Sequence, residues 1–302
     1  MAPATPAGPA RSDLIAQPVT ATDLRPLGLG ELLDRAVTLF IRRFAILVTA
    51  LAITFVPFGF VQWALIGSFT GHRRATLTRA EWQAFGIDLA VGLLVFALGR
   101  TAAAAIAHAA YANRTLSLAA AYRIALARIG AQLVTMVFGA LVGSAIVIVA
   151  AIPLMVIGFM ERPGTVPIVV ALLIAVAIAA ILGGWLILGF ELATVRIATR
   201  AENHFTALFA ALRGTAFQRP WRSLLTAGIL MLVVIGGSLV FSTLAELMPT
   251  QTLRTFFTFG VGYVSSLIIE ALTVTFLVVY DVDLAVRREG LDLTVALDAT
   301  PP

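Results

Sequence analysis

Three ionisable residues stand inside long apolar runs: Arg100, Glu191 and Glu270. A charge in hydrocarbon costs several kcal/mol unless it is paired or wet. Such residues therefore mark proton relays, substrate paths or interhelical clamps. Arg100 lies 14 residues from Arg114, and Glu270 lies 11 from Asp281, which puts the two at similar depth. Glu191 is 5 residues from Arg196 and reads as shallower. Glu191 and Glu270 each open a Glu-x-x-Thr-Val pattern, running to Thr194-Val195 and Thr273-Val274. The expectation is that Arg100 pairs with Glu270 and that Glu191 is a second partner. The cluster is then either the floor of a polar cavity for a substrate or proton, or a clamp that fixes how helices close on one another. The clamp is the preferred reading.

No other constellation points to chemistry. His108 stands alone among alanines, where a packed or interfacial histidine is commoner than a proton relay. His72 and His204 share no metal-like spacing with it. Asp88 and Glu246 fall near span ends, within reach of water. There is no cysteine, so thiolate metal sites and cysteine nucleophiles are excluded. Gly-x-Ser-x-Gly, a phosphate loop and His-Glu-x-x-His are absent. Gly28-Leu29-Gly30 lacks the third glycine and the preceding strand of a nucleotide site. The sequence predicts no catalytic residue, no metal and no cofactor.

The elements that hold these residues follow from composition. The 302 residues are 60% hydrophobic and 12% charged, whereas a soluble chain carries about a quarter charged residues. Too few charges remain to coat a soluble surface, so lipid is the solvent for much of the chain. All 21 basic residues are arginine. They flank apolar runs, so the high isoelectric point implies anionic lipid headgroups rather than nucleic acid as the partner. Protein partners are not legible.

Six stretches reach the length of a spanning helix, roughly Phe44–Ile66, Gly86–Ala112, Gln132–Met160, Val166–Val195, Leu224–Met248 and Phe256–Val282. Kinks are expected at Pro57 and Pro153. A shorter amphipathic segment precedes each odd-numbered span: Gly30–Arg43, Ser117–Ile129 and Asn203–Gly214. In the last, Phe205, Leu208, Phe209 and Leu212 follow helical spacing, with Asn203 as N-cap and Gly214 as the stop. These segments are expected to lie in the headgroup layer, apolar face down.

A repeat ties the elements together. Arg42, Arg128 and Arg219 are each followed, five residues on, by Leu-(Val or Leu)-Thr, and they stand 86 and 91 residues apart. Spacing of that size means a duplicated unit. The predicted fold is all-α and integral to the membrane: six spans as three tandem hairpins, about residues 28–112, 116–200 and 203–289. Residues 1–26 read as a disordered cytoplasmic tail, 27–289 as the transmembrane domain and 290–302 as a second cytoplasmic tail. Fifteen arginines fall on the side bearing both termini and five on the other, which puts both termini in the cytoplasm. Arg42, Arg43, Arg128, Arg219 and Arg222, at the mouths of the odd spans, are the candidate headgroup contacts.

Leu27-Gly28-Leu29-Gly30-Glu31-Leu32-Leu33-Asp34, Ala211-Leu212-Arg213-Gly214 with Arg219-Pro220-Trp221-Arg222, and Tyr280-Asp281 leading to Arg287-Arg288-Glu289-Gly290-Leu291-Asp292-Leu293 form three ordered signatures. Together they resemble bacterial six-span proteins related to the membrane domain of glycerophosphoryl diester phosphodiesterases, over about residues 27 to 293. The resemblance implies a bacterial inner-membrane protein. It does not imply phosphodiesterase activity, which belongs to a soluble barrel of about 250 residues; no such stretch lies outside the spans. The expected function is a non-enzymatic membrane scaffold or lipid-interacting component. The alternative is a transporter of a lipid or small solute through a central path lined by Arg100, Glu191 and Glu270. A wet centre would favour transport and a dry, alanine-packed one the scaffold.

Overall fold

The computed structural model describes residues 26–69, 79–158, 164–250, 253–254 and 257–289. Both expected tails, the loop holding His72, Arg73 and Arg74, and the segment holding Arg162 lie outside these residues, apart from Pro26. No strand occurs among the described residues, which form eight α-helices. They are α1 (Leu29–Phe69), α2 (Arg79–Tyr111), α3 (Leu118–Ala127), α4 (Ile129–Gly158), α5 (Thr165–Arg200), α6 (His204–Leu212), α7 (Pro220–Glu246) and α8 (Gly262–Glu289). π-Helical turns at Arg213–Gln218 and Phe257–Val261 lead into α7 and α8. Six helices, namely α1, α2, α4, α5, α7 and α8, are long and apolar enough to cross a membrane. The chain is an all-α, six-span membrane protein.

A backbone break falls at the repeated arginine in the second and third units and one residue after it, at Arg43, in the first. In α1 the chain leaves helical geometry at Arg43 (φ −118°, ψ 17°), so the interfacial segment and the first span form one bent helix. Arg128 closes α3 with nearly the same angles (φ −114°, ψ 6°), and Arg219 ends the π-turn ahead of α7 (φ −143°, ψ 61°). Local capping explains where the short helices start. Ser117 accepts from the Ala120 amide and Asn203 from the Thr206 amide, each satisfying an orphan donor of the first turn. Glu31 reaches back to accept from the Gly28 amide, half of a capping box.

One expectation is corrected in part. Gly214 falls just past the cap of the sixth helix, as its position implies, but the chain does not leave helical geometry there. It widens into a π-turn in which the Thr215 hydroxyl donates to the carbonyls of Ala211 and Leu212, and Gly214 packs against Leu284. In α1 the non-helical angles fall at Arg43, while Pro57 lies inside the helix. The Tyr263 hydroxyl of α8 donates to the Phe55 carbonyl, two residues before that proline.

Packing follows the repeat. The even-numbered spans α2, α5 and α8 touch one another and form the inner layer. Each odd span packs on its own inner partner and on the inner helix of the preceding repeat: α4 on α5 and α2, α7 on α8 and α5, and α1 on α2 and α8. The interfacial helices obey the same rule, with α3 on α2 and α6 on α5. The third repeat thus closes on the first, completing a threefold ring.

The tightest packing lies at the end of the bundle that carries both termini. Ala102 to Ala107 of α2, Leu188 and Leu192 to Ala198 of α5, and Val274 to Val286 of α8 are buried there. Small residues permit the approach. A Cβ added at Gly237 of α7 would lie 2.5 Å from Ile269 Cδ1 of α8, so a larger residue there would have to turn that methyl group aside. Helix α6 divides its apolar residues. Ala207, Leu208 and Ala211 face the protein, while Phe205 and Phe209 are exposed. It therefore does not lie with a single apolar face turned to lipid: packing on α5 claims half of that face.

Candidate functional site

The three inner helices each deliver one ionisable side chain to a common point. Arg100 of α2 contacts Glu191 Oε2 of α5 through Nη2, and its Nε lies 2.5 Å from Glu270 Oε1 of α8. The Arg100 side chain is 7% exposed, Glu191 29% and Glu270 20%, so the arginine is the buried centre and the acids flank it. The Phe96 ring lies under the guanidinium, 5.1 Å from ring centroid to Cζ, and covers the remaining face. Glu191 is the expected second partner, and it meets Arg100 as closely as Glu270 does. Beside the triad a crevice of about 260 Å³ opens between α2 and α4 over α5, lined by Phe96, Arg100, Thr135, Gly139, Phe190 and Glu191 among others. Its Thr135 and Thr194 hydroxyls both donate to carbonyls of their own helices. Thr135 and Gly139 lie 6 and 10 residues into α4, about 9–15 Å from its start.

A second charged layer sits at the termini-bearing end, and the sequence reading did not foresee it. Asp281 of α8 accepts from Arg196 Nε at 2.7 Å and Arg200 Nη2 at 2.9 Å, both from α5. Asp283 accepts from Arg222 Nη2 of α7 at 2.8 Å, from Arg287 Nε at 2.9 Å and from the Leu27 amide at 2.7 Å. Arg222 and Arg287 also donate to the Leu27 carbonyl. Both aspartates are buried. The first residues of the domain are thus pinned to its last helix. The signal was present as two acids two apart with Arg287 one turn beyond Asp283, but it reads equally as an ordinary solvated helix end.

The five candidate headgroup arginines divide by environment. Arg128 caps α5, donating through Nη1 to the carbonyls of Ile197 and Ala198. Burial pulls its guanidinium below the usual arginine range. Arg222 belongs to the Asp283 network. Arg42 and Arg219 are exposed, and Arg43 is half-buried at the break in α1. Nearby, burial pushes the Tyr122 phenol of α3 above its ordinary value, which keeps it protonated as donor to the Ala50 carbonyl.

The remaining candidates stay apart. His108 is half-buried near the end of α2, and His204 opens α6 with its ring against Phe205. Asp88 accepts from Gln62 Nε2 at 3.4 Å. The Trp185 indole donates to the Pro220 carbonyl at 3.0 Å, which explains a tryptophan away from the interfaces.

The fold and the triad define a multi-pass helical membrane protein whose inner helices are joined by an intramembrane ion cluster. Comparison with protein-family models, curated proteins and solved structures finds no match.

Proposed function

We propose that the protein is a non-enzymatic membrane scaffold that engages lipid, set in a bacterial inner membrane with both termini in the cytoplasm. The arginine bias supports that orientation. The likeness to the phosphodiesterase membrane domain belongs to the same proposal, as shared descent of the membrane-spanning part. One observation carries the reading: the centre of the ring at the termini-bearing end is filled by alanines and large apolar side chains. Ala102, Ala103, Ala107, Leu277 and Tyr280 are all fully buried there. A path along the ring axis would need water or substrate to displace them. In this reading Arg100, Glu191 and Glu270 clamp the three repeats together.

The alternative, transport of a lipid or small solute, has one observation in its favour. The triad holds two carboxylates against one guanidinium and borders a crevice open to the side, where a proton or cationic group could balance it. Cysteine accessibility separates the two, since the chain has no cysteine of its own. Ala103→Cys and Leu277→Cys should resist a membrane-impermeant maleimide, while Phe217→Cys at an exposed site should react. Reaction at Ala103→Cys in folded protein would defeat the closed-core reading and favour transport.

A further inference from the structure

Beside the mouth of α7 lies a polar cavity of about 220 Å³, lined by Gln218, Arg219, Leu284 and Arg287. It belongs neither to the intramembrane triad nor to the alanine core. Its charge balance is one-sided. Asp283 is shared by Arg222 and Arg287, so one carboxylate meets two guanidinium groups. Arg219 adds a third, and no carboxylate among the described residues lies within ion-pair distance of it. Among the described residues the group holds three guanidinium groups and one carboxylate.

The backbone adds to this. Arg219 leaves helical geometry one residue before α7 begins at Pro220, so its side chain stands at the positive end of a 27-residue helix. Arg287 is held by its bonds to Asp283 and the Leu27 carbonyl, which fixes one wall of the cavity before any ligand arrives. Two large aromatics stand next to the lining residues in sequence, Phe217 at 80% exposure and Trp221 at 78%. α7 is a candidate span from Pro220 onward, so these residues fall where the helix enters lipid. An aromatic pair at that level is an interfacial anchor. A cationic cavity at the level of such anchors fits a phosphate carried by a lipid.

We infer that Gln218, Arg219 and Arg287 form a binding site for the phosphate group of an anionic phospholipid in the leaflet at the termini-bearing end. The inference rests on the lipid-engaging part of the proposed function and gives it an address. Of the five arginines at the span mouths, Arg128 and Arg222 are committed to internal partners, and Arg42 and Arg43 border no comparable cavity among those described. Arg219 is the exposed member that shares a cavity with a second, fixed guanidinium. The Gln218 amide supplies a neutral donor for a phosphate oxygen. Arginine is the residue suited to that contact because its planar fork matches two oxygens at once.

Trp221 makes the site measurable. The full chain, with Trp63, Trp82 and Trp185 changed to Phe, is reconstituted in phosphatidylcholine vesicles. Brominated phosphatidylglycerol or brominated phosphatidylcholine is doped in at equal mole fraction. Trp221 should be quenched more strongly by the anionic lipid, and Arg219→Gln should lower that preference about fivefold, the loss of about one basic contact at an anionic surface. Arg123→Gln, which alters an exposed arginine of α3 outside the candidate headgroup contacts, should leave it intact. Equal quenching by the two lipids, or an unchanged preference in Arg219→Gln, would overturn the site. Inorganic phosphate provides the other arm. If millimolar phosphate in vesicles lacking anionic lipid shifts Trp221 emission, and Arg219→Gln abolishes the shift, the ligand is a soluble phosphate and the lipid assignment fails. The same samples carrying Ala103→Cys keep the two readings distinct: lost lipid preference with an unlabelled core removes this site alone, whereas a labelled core removes the scaffold reading whatever the lipids do.

Discussion

The two ends of the bundle are built on different principles. At the termini-bearing end the inner helices bury nearly every side chain, and four arginines converge on Asp281 and Asp283. At the other end the helices display bare apolar surface, with Leu141, Val147, Leu232 and Leu239 of the outer helices and Leu173 of α5 all more than half exposed. There the serines turn back on their own helices: Ser144 donates to the Ala140 carbonyl and Ser238 to that of Val234. The contrast has a physical origin. Lipid tails are as apolar as leucine, so nothing drives exposed leucines together in the bilayer. Helices α2 and α5 have 33 and 36 residues, about 50 and 54 Å of helix against a hydrocarbon layer of about 30 Å. About 20 Å of each is left for headgroups and water, where burying alanine is favourable and ion pairs hold orientation. The molecule is a water-side knot from which lipid-solvated helices extend, and the triad lies between the two regimes.

This contrast can be attacked directly. The largest effect is expected at the junction. Arg100→Glu brings three carboxylates together and should abolish folded, monodisperse protein in a size-exclusion assay; adding Glu270→Arg should restore most of it, with Glu191 still available as a partner. A double variant no better than the single one would mean that the contacts of Arg100 do not hold the ring. Next comes the charged knot. Asp283→Asn removes the carboxylate shared by Arg222, Arg287 and the Leu27 amide and should cost about 3 kcal/mol, because breaking a buried pair leaves a charge uncompensated; a lowered unfolding temperature in detergent is the readout. The smallest effects sharpen the contrast between the ends. Ala103→Leu overpacks the closed centre and should cost about 1–3 kcal/mol, whereas Leu173→Ala on the lipid-facing surface of α5 should stay within about 0.5 kcal/mol. Equal losses from the two would erase the distinction.

Much of this was readable from residue order. Apolar runs of spanning length fell on the six long helices, and the repeated arginine stood at or next to each break between interfacial segment and span. Asn203 capped α6 as its position implied. The pairing of Arg100 with Glu270 was legible because they lie at similar distances, 14 and 11 residues, from flanking charges. Other features were not. An arginine at a span mouth carries one sequence signal whether it meets a phosphate or caps a neighbouring helix, so Arg128 and Arg219 look alike until α5 is seen beside the first. The Asp283 lock joins residues 256 positions apart, and no local pattern encodes such a pairing.

The triad also constrains how the protein is made. Glu191 follows Arg100 by 91 residues and Glu270 follows it by 170. At about 5–20 residues per second of synthesis, the guanidinium waits about 5–18 s for its first acid and about 9–34 s for its second. A nascent second helix cannot rest in oil with that cation bare. It must dwell at the insertion machinery, or float with the charge drawn up to the bilayer rim, until the ribosome has delivered the other two repeats. Assembly is therefore a late event, completed only when nearly the whole polypeptide has emerged.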